Sequence, residues 1–307
     1  MALHVPPAVV AFSESSEESA RPVLVEDVAA AGLSAAAAEE YLGRLVRQGK
    51  LARRGPGVFT VARRGRPELE STLLLKRVAA ALRAELPMVA AVGWTTEWLA
   101  PYAHNVPTRH WTAVDAAGFA LPSIADVLAR VRLQAVVDPD PEQVPDLLRL
   151  FERPLVLWPH GDMHGAPAGK TPWGLRLPQP ERLLVDVYFA ATRLGLPYPS
   201  NDLAAASARL LAEGDLNVAS ALAYAQRRGI ADEYAAYLRA LPRLPRDVAE
   251  AVTVVTDRHR NRGSRDARPR RSRRAASPGQ PAAPEESRRG RRTKSAHTAK
   301  RTGAGAA

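Results

Sequence analysis

The sequence predicts an α/β or α+β protein: an N-terminal winged helix-turn-helix, a mixed α/β middle, a helical C-terminal part and a disordered basic tail. Three observations carry this expectation. Between Val23 and Ala62, two helix-length runs stopped by glycine precede two strand-length runs joined by Gly55-Pro56-Gly57, the order of a helix-turn-helix followed by a wing. From 67 to 178, short apolar runs alternate with helical ones, as expected of helices layered on a sheet. From Asp257 onward the apolar periodicity ends, and Arg, Ser, Pro, Gly and Ala dominate, a composition that cannot bury a core. The resulting boundaries are 1–66, 67–256 and 257–307.

Within the first region, Val23-Leu24-Val25 reads as a strand and Glu26–Ala31 as a short helix ended by Gly32. Ser34 caps a second helix, Ala35–Gln48, which stops at Gly49. Its inward stripe is Ala38, Tyr41, Leu42, Leu45 and Val46; Ala36, Glu40, Gly43, Arg44 and Arg47 face outward. Lys50–Arg54 and Val58–Ala62 then form the hairpin. Seven basic and no acidic residues lie between Arg47 and Arg66. Such a cluster suits DNA, because Arg and Lys displace counterions condensed on the phosphate backbone. The expected DNA contacts are Ser34, Arg44, Arg47, Lys50, Arg53, Arg54, Arg63 and Arg64. The outward alanines and Glu39-Glu40 limit direct base readout, Glu40 is placed to pair with Arg44, and a winged helix used only for protein contacts is the alternative.

In the middle region Leu69–Leu86 reads as a helix, with Leu73, Leu74, Val78, Ala81 and Leu82 on one side. Trp111–Val114, Leu133–Val137 and Pro154–Trp158 read as buried strands. Ser123 is placed to cap a helix through Val131, and Pro141–Phe151 forms another. Gln179-Pro180-Glu181 opens a further helix, with proline in the first turn and a carboxylate favoured by the dipole. Its apolar face is Leu183, Leu184, Val187, Tyr188 and Ala191, and helices near Asp202–Ala212 and Asn217–Arg228 follow.

Composition narrows the function. The chain has 307 residues, no cysteine and a net charge of +11, so disulfides, thiolate catalysis and cysteine-ligated zinc are excluded. The charge is uneven: 257–307 carries +12 and the rest −1, which suits a non-specific DNA anchor, with a solubilising extension that has no specific partner as the alternative. No apolar run reaches membrane-spanning length, and Met1–Phe12 lacks the basic start of a signal peptide; a cytoplasmic protein with no membrane partner is expected.

Two clusters resemble catalytic or metal sites. His160, Asp162 and His164 offer three ligands in five residues, suited to zinc or iron; a polar loop at a strand end is the preferred reading. Asp138 and Asp140 mimic a magnesium-binding pair, but Pro139 and Pro141 indicate a turn and no phosphate loop precedes them. Trp94, Trp98, Trp111, Trp158 and Trp173 are read as core and groove-lining residues. No catalytic residue, metal ligand or cofactor is assigned.

Leu42-Gly-Arg-Leu-Val-Arg-Gln-Gly-Lys-Leu51 with Gly57-Val-Phe59 resembles the N-terminal winged helix of AbiEi-type antitoxins of type IV toxin–antitoxin systems. Gln179-Pro-Glu-Arg-Leu-Leu-Val-Asp186 is similar to that family's C-terminal "SPE+TLLD" helix start, with Gln179 at the usual serine, and Ala223-Tyr-Ala-Gln-Arg-Arg-Gly229 is similar to its trailing helices. The resemblance covers residues 20–240; Trp94–His110 departs from it and the basic tail is additional. It implies a regulator that represses its own promoter through the winged helix and counters a nucleotidyltransferase toxin through the second domain. The alternatives are a transcription factor with a ligand-sensing second domain, and a nucleic-acid-processing enzyme.

Overall fold

Ahead of the elements expected from the sequence lies a helix, α1 (Pro7–Ser19). Its Val9 is fully buried with Val23, Val28, Leu42 and Phe59 in the core of the winged helix. β1 (Val23–Leu24), α2 (Val25–Ala30), α3 (Ala35–Arg47), β2 (Leu51–Gly55) and β3 (Val58–Val61) follow in the expected order. The three strands form an antiparallel sheet ordered β1-β3-β2, with Val23 opposite Phe59 and Leu51 opposite Val61. The computed structural model describes residues 5–103, 109–161 and 175–266.

A second, five-stranded sheet carries the rest. Its elements are α4 (Leu73–Glu85), β4 (Ala91–Thr95), β5 (Thr112–Ala116), α5 (Leu121–Arg130), β6 (Val136–Val137), α6 (Val144–Leu150), β7 (Leu155–Pro159) and β8 (Leu175–Arg176). The strand order is β6-β7-β5-β4-β8. Only β4 and β5 are antiparallel, and the other pairs are parallel. Two expectations need correcting. Ser123 does not cap its helix: α5 starts at Leu121 with Pro122 in its first turn, so Ser123 is already helical. The helix expected from Leu69 starts at Leu73, because the Thr72 hydroxyl accepts the Leu75 amide at 3.3 Å.

Alternation along the strands sorts the side chains into two layers. Val114, Ala116, Leu155 and Leu157 pack with Leu75, Leu82, Ile124 and Leu128 of α4 and α5. Trp94, Ala113, Val156 and Trp158 point the other way, toward α7 (Pro180–Arg193), α8 (Ser200–Glu213), α9 (Val218–Arg227), α10 (Ala231–Arg239) and α11 (Arg246–Asp266). The fold is mixed α/β, as the sequence predicts.

The winged helix shares this second core: Val58 lies in the same apolar cluster as Leu222 and Val255. The approach is close enough that a Cβ on Gly55 would sit 2.9 Å from Val255 Cγ2. The tail boundary also moves. Residues 257–266, expected to be disordered, continue α11 as helix, because Val248, Val252 and Val255 anchor the preceding turns in the core. Residues 267–307 lie outside the described residues.

Candidate nucleic-acid interface

Ser34 has extended backbone, and its hydroxyl accepts the Ala37 amide at 3.2 Å, so it starts α3 as expected. Ala38, Leu42 and Leu45 are buried, whereas Ala35, Ala36 and Glu40 are exposed. After α3 the chain reverses through 48–50 into β2, so the start of α3 and the hairpin tip lie at the same end of the module. A 2.6 Å ion pair from Glu39 to Arg53 ties α3 to β2, and the Val25 amide donates to Gly57 O at 3.1 Å at the tip. In helix-turn-helix proteins the recognition helix meets base edges through its N-terminal residues; in α3 that end is Ala35 and Ala36.

The basic residues expected to hold phosphate separate into three groups. Arg47 and Lys50 are exposed, at the far end of α3 from the hairpin tip. Arg44 and Arg53 remain near the surface but pair with Glu40 at 2.5 Å and Glu39 at 2.6 Å; Arg53 also stacks over Phe59. Arg54, Arg63 and Arg64 reach acceptors in the helical layer.

Arg54 is the clearest correction: it is fully buried. Its Nε donates to Thr60 Oγ1 at 2.8 Å, and its Nη1 donates to Gly214 O at 2.9 Å and Leu216 O at 3.3 Å. Burial lowers its pKa to about 10, against the pull of Asp215, so the guanidinium remains charged at neutral pH. Arg63 pairs with Asp247 at 2.8 Å and Arg64 with Glu213 at 2.7 Å. Arg66 continues the pattern by bonding the buried Glu181, whose other oxygen accepts the Asn217 amide at 2.8 Å. The cations after the wing therefore fasten it to the helical layer, because the acceptors sit 113 to 184 residues away in sequence.

The helix opened by Gln179-Pro180-Glu181 is buried on every side from Pro180 to Val187. It carries a buried ion network that the apolar pattern does not reveal. Arg182 reaches Asp115 and Asp186, each at 2.8 Å. Asp186 also accepts the Tyr224 hydroxyl at 2.6 Å and Arg228 at 2.6 Å, and His160 Nε2 meets Tyr224 at 2.9 Å. Burial pushes Asp186 upward, but Arg228 and Arg182 outweigh it and hold its carboxyl below the usual range. At Asp115, burial and the neighbouring Asp186 prevail, and its pKa is raised. With Asp115, Arg182 and Asp186 at most 1% exposed, the network joins β5, α7 and α9 as internal scaffolding.

Of the metal-like cluster, His160 is buried against Tyr224, while Asp162 and His164 lie outside the described residues. Among the described residues, no group of three or more His, Asp or Glu is placed to hold a metal. Asp138 and Asp140 are exposed, and Asp138 occupies a left-handed turn with φ of 40°. Trp94 and Trp158 stack in the core with centroids 5.7 Å apart, Trp111 is buried and Trp98 partly so; Trp173 lies outside the described residues. No described helix is long and apolar enough to cross a membrane.

Residues 37–242 match the model of a family described as a family of unknown function, DUF6577. No curated protein matches the chain. Among solved structures, the RV2827C protein from Mycobacterium tuberculosis is similar over 83% of this chain and 78% of its own, at 17% identity and a TM-score of 0.25.

Proposed function

Because the chain belongs to the DUF6577 family, to which no function is attached, we propose from its own surfaces that it is a DNA-binding transcriptional regulator. The observation that carries this reading is the exposed, small-residue start of α3 beside the hairpin tip, with Ala35 and Ala36 leaving room for close backbone approach. The finer reading is an autorepressor that also counters a nucleotidyltransferase toxin, in the cytoplasm and without catalysis of its own. It is supported by the motif likeness to AbiEi-type antitoxins at Leu42–Leu51 and Gln179–Asp186.

One substitution tests both levels. Ala36 is in the first turn of α3 and exposed. A carboxylate there favours the helix through its dipole, yet would face the DNA phosphates. Ala36→Glu is expected to melt no lower than wild type and to bind the DNA upstream of its own gene at least tenfold more weakly, about 1.4 kcal/mol. Equal affinity in gel-shift titrations would remove α3 from the interface. In cells the variant should lose repression of a promoter reporter while still rescuing growth against a nucleotidyltransferase toxin encoded beside it, if the gene neighbourhood holds one. A wild-type chain that never rescues ends the antitoxin reading.

A second reading, ligand sensing, is favoured by one hollow of about 540 Å³ between α5 and the start of β7. Leu74, Leu133, Phe151 and Leu155 give it an apolar floor, with Arg132, Arg153 and Gln134 at its rim. That chemistry suits a small apolar molecule bearing a carboxylate. A panel of aryl carboxylates in thermal-shift assays is expected to raise the melting point of wild type and not of Arg153→Ala; no shift with any member refutes ligand sensing at this hollow.

A further inference from the structure

The winged helix lacks cations where it most needs them. At the end formed by the start of α3 and the hairpin tip, Arg53 is paired with Glu39 and Arg54 is buried. The exposed Arg47 and Lys50 lie at the opposite end, and Glu26 sits at the start of α2 near the tip. Phosphates approaching this end would meet little positive charge from the module itself.

α11 supplies it. Arg258 donates through Nη1 to Pro56 O at 2.8 Å, at the hairpin tip, and through Nη2 to Glu26 at 2.8 Å. That ion pair offsets the carboxylate that would otherwise repel DNA. His259 and Arg262 line the same small hollow as Pro56. Arg262 is one turn beyond Arg258, on the same side of the helix and about 6 Å farther along its axis, and it is exposed. From Arg258 to Asp266 the helix has four arginines and one acidic residue, and Arg268, Arg270, Arg271, Arg273 and Arg274 follow in sequence. The helix is held in this position by the earlier turns of the same face, where Val252 and Val255 are buried.

We propose that the last turns of α11, centred on Arg262 beside the hairpin tip, form part of the DNA-binding surface and contact the phosphate backbone of duplex DNA. The wing is thus a composite, a short hairpin whose own arginines are paired or buried, supplemented by a basic helix from the far end of the chain. This rests on the DNA-binding reading above and deepens it. Arg258 positions the hairpin, while Arg262 contacts phosphate.

The test uses the full chain and a duplex containing the region upstream of its own gene. Affinity is measured at several salt concentrations for wild type and Arg262→Ala, and a photo-crosslinking residue is placed at 262. A lost phosphate contact lowers the slope of log affinity against log salt by about 0.9, so the variant is expected to bind several-fold more weakly at low salt, with that smaller slope and an unchanged melting point. Crosslinks from 262 to the duplex are expected as well. If wild type binds the duplex but Arg262→Ala keeps both affinity and slope and 262 does not crosslink, the composite surface is refuted while DNA binding stands. If wild type binds no duplex, or only single-stranded RNA, both readings fall together.

Discussion

Replacing Arg182 by methionine is expected to destabilise the protein by about 3–5 kcal/mol, the range found when one partner is removed from a buried ion pair. The size follows from what stays behind. Asp186 keeps Arg228 at 2.6 Å and the Tyr224 hydroxyl at 2.6 Å. Asp115 loses its 2.8 Å partner and, among the described residues, retains the Trp94 indole at 3.3 Å and Arg228 at 3.6 Å. Its pKa, already raised by burial and by Asp186, should rise further. A carboxylate whose folded-state pKa lies above the unfolded value contributes stability below the unfolded pKa and loses it as pH rises through the folded one. The deficit of Arg182→Met should therefore be largest near neutrality and shrink toward acid. Urea denaturation of both proteins across pH checks this, with Arg182→Lys expected to recover part of the loss. A deficit under 1 kcal/mol at neutral pH would mean that the network contributes little to holding β5, α7 and α9 together.

What could be read from the sequence was whatever is local. The winged helix was legible because its signals are adjacent: Ser34 before an amphipathic run, Gly49 after it, and a Gly-Pro-Gly turn between two short strands. β7 stood out as an apolar run. β4 did not, because Gly93 interrupts Ala91–Thr95. The structure requires that glycine, since a Cβ there would lie 2.7 Å from side-chain atoms of both Leu75 and Leu175. The buried network was hidden for a related reason. Arg182 and Asp186 are an i,i+4 pair that reads as a solvated helix face, and only Asp115, on a strand 67 residues earlier, shows that this face is inside. The same limit governs the interface. Charge counting assigned Arg54, Arg63 and Arg64 to DNA, although their acceptors, Gly214, Asp247 and Glu213, are distant in sequence. It also assigned Arg258 and Arg262 to a tail, when α11 brings them to the hairpin.

Arg54 separates a reading based on charge from one based on position. If it bound phosphate, its loss would weaken DNA binding and lower the salt slope while leaving folding nearly untouched. Its burial requires the reverse. Arg54→Met keeps much of the apolar stem but strips the donor from Gly214 O and Leu216 O, which sit where the wing meets the helical layer. Leu216 O is left without a donor, at about 1–3 kcal/mol, while Gly214 O keeps the Leu216 amide at 2.9 Å and loses one bond, at about 0.5–1.5 kcal/mol. Relief of the desolvation that lowers the Arg54 pKa to about 10 returns part of this. A net loss of about 2–4 kcal/mol is therefore expected in urea denaturation, with early loss of hydrogen-exchange protection in β2 and β3. At temperatures where the variant is still folded, its salt slope for DNA should equal that of wild type. A variant that keeps full stability but loses about 0.9 from that slope would put Arg54 on the phosphates after all, and the wing would have to swing away from Gly214 to let it get there.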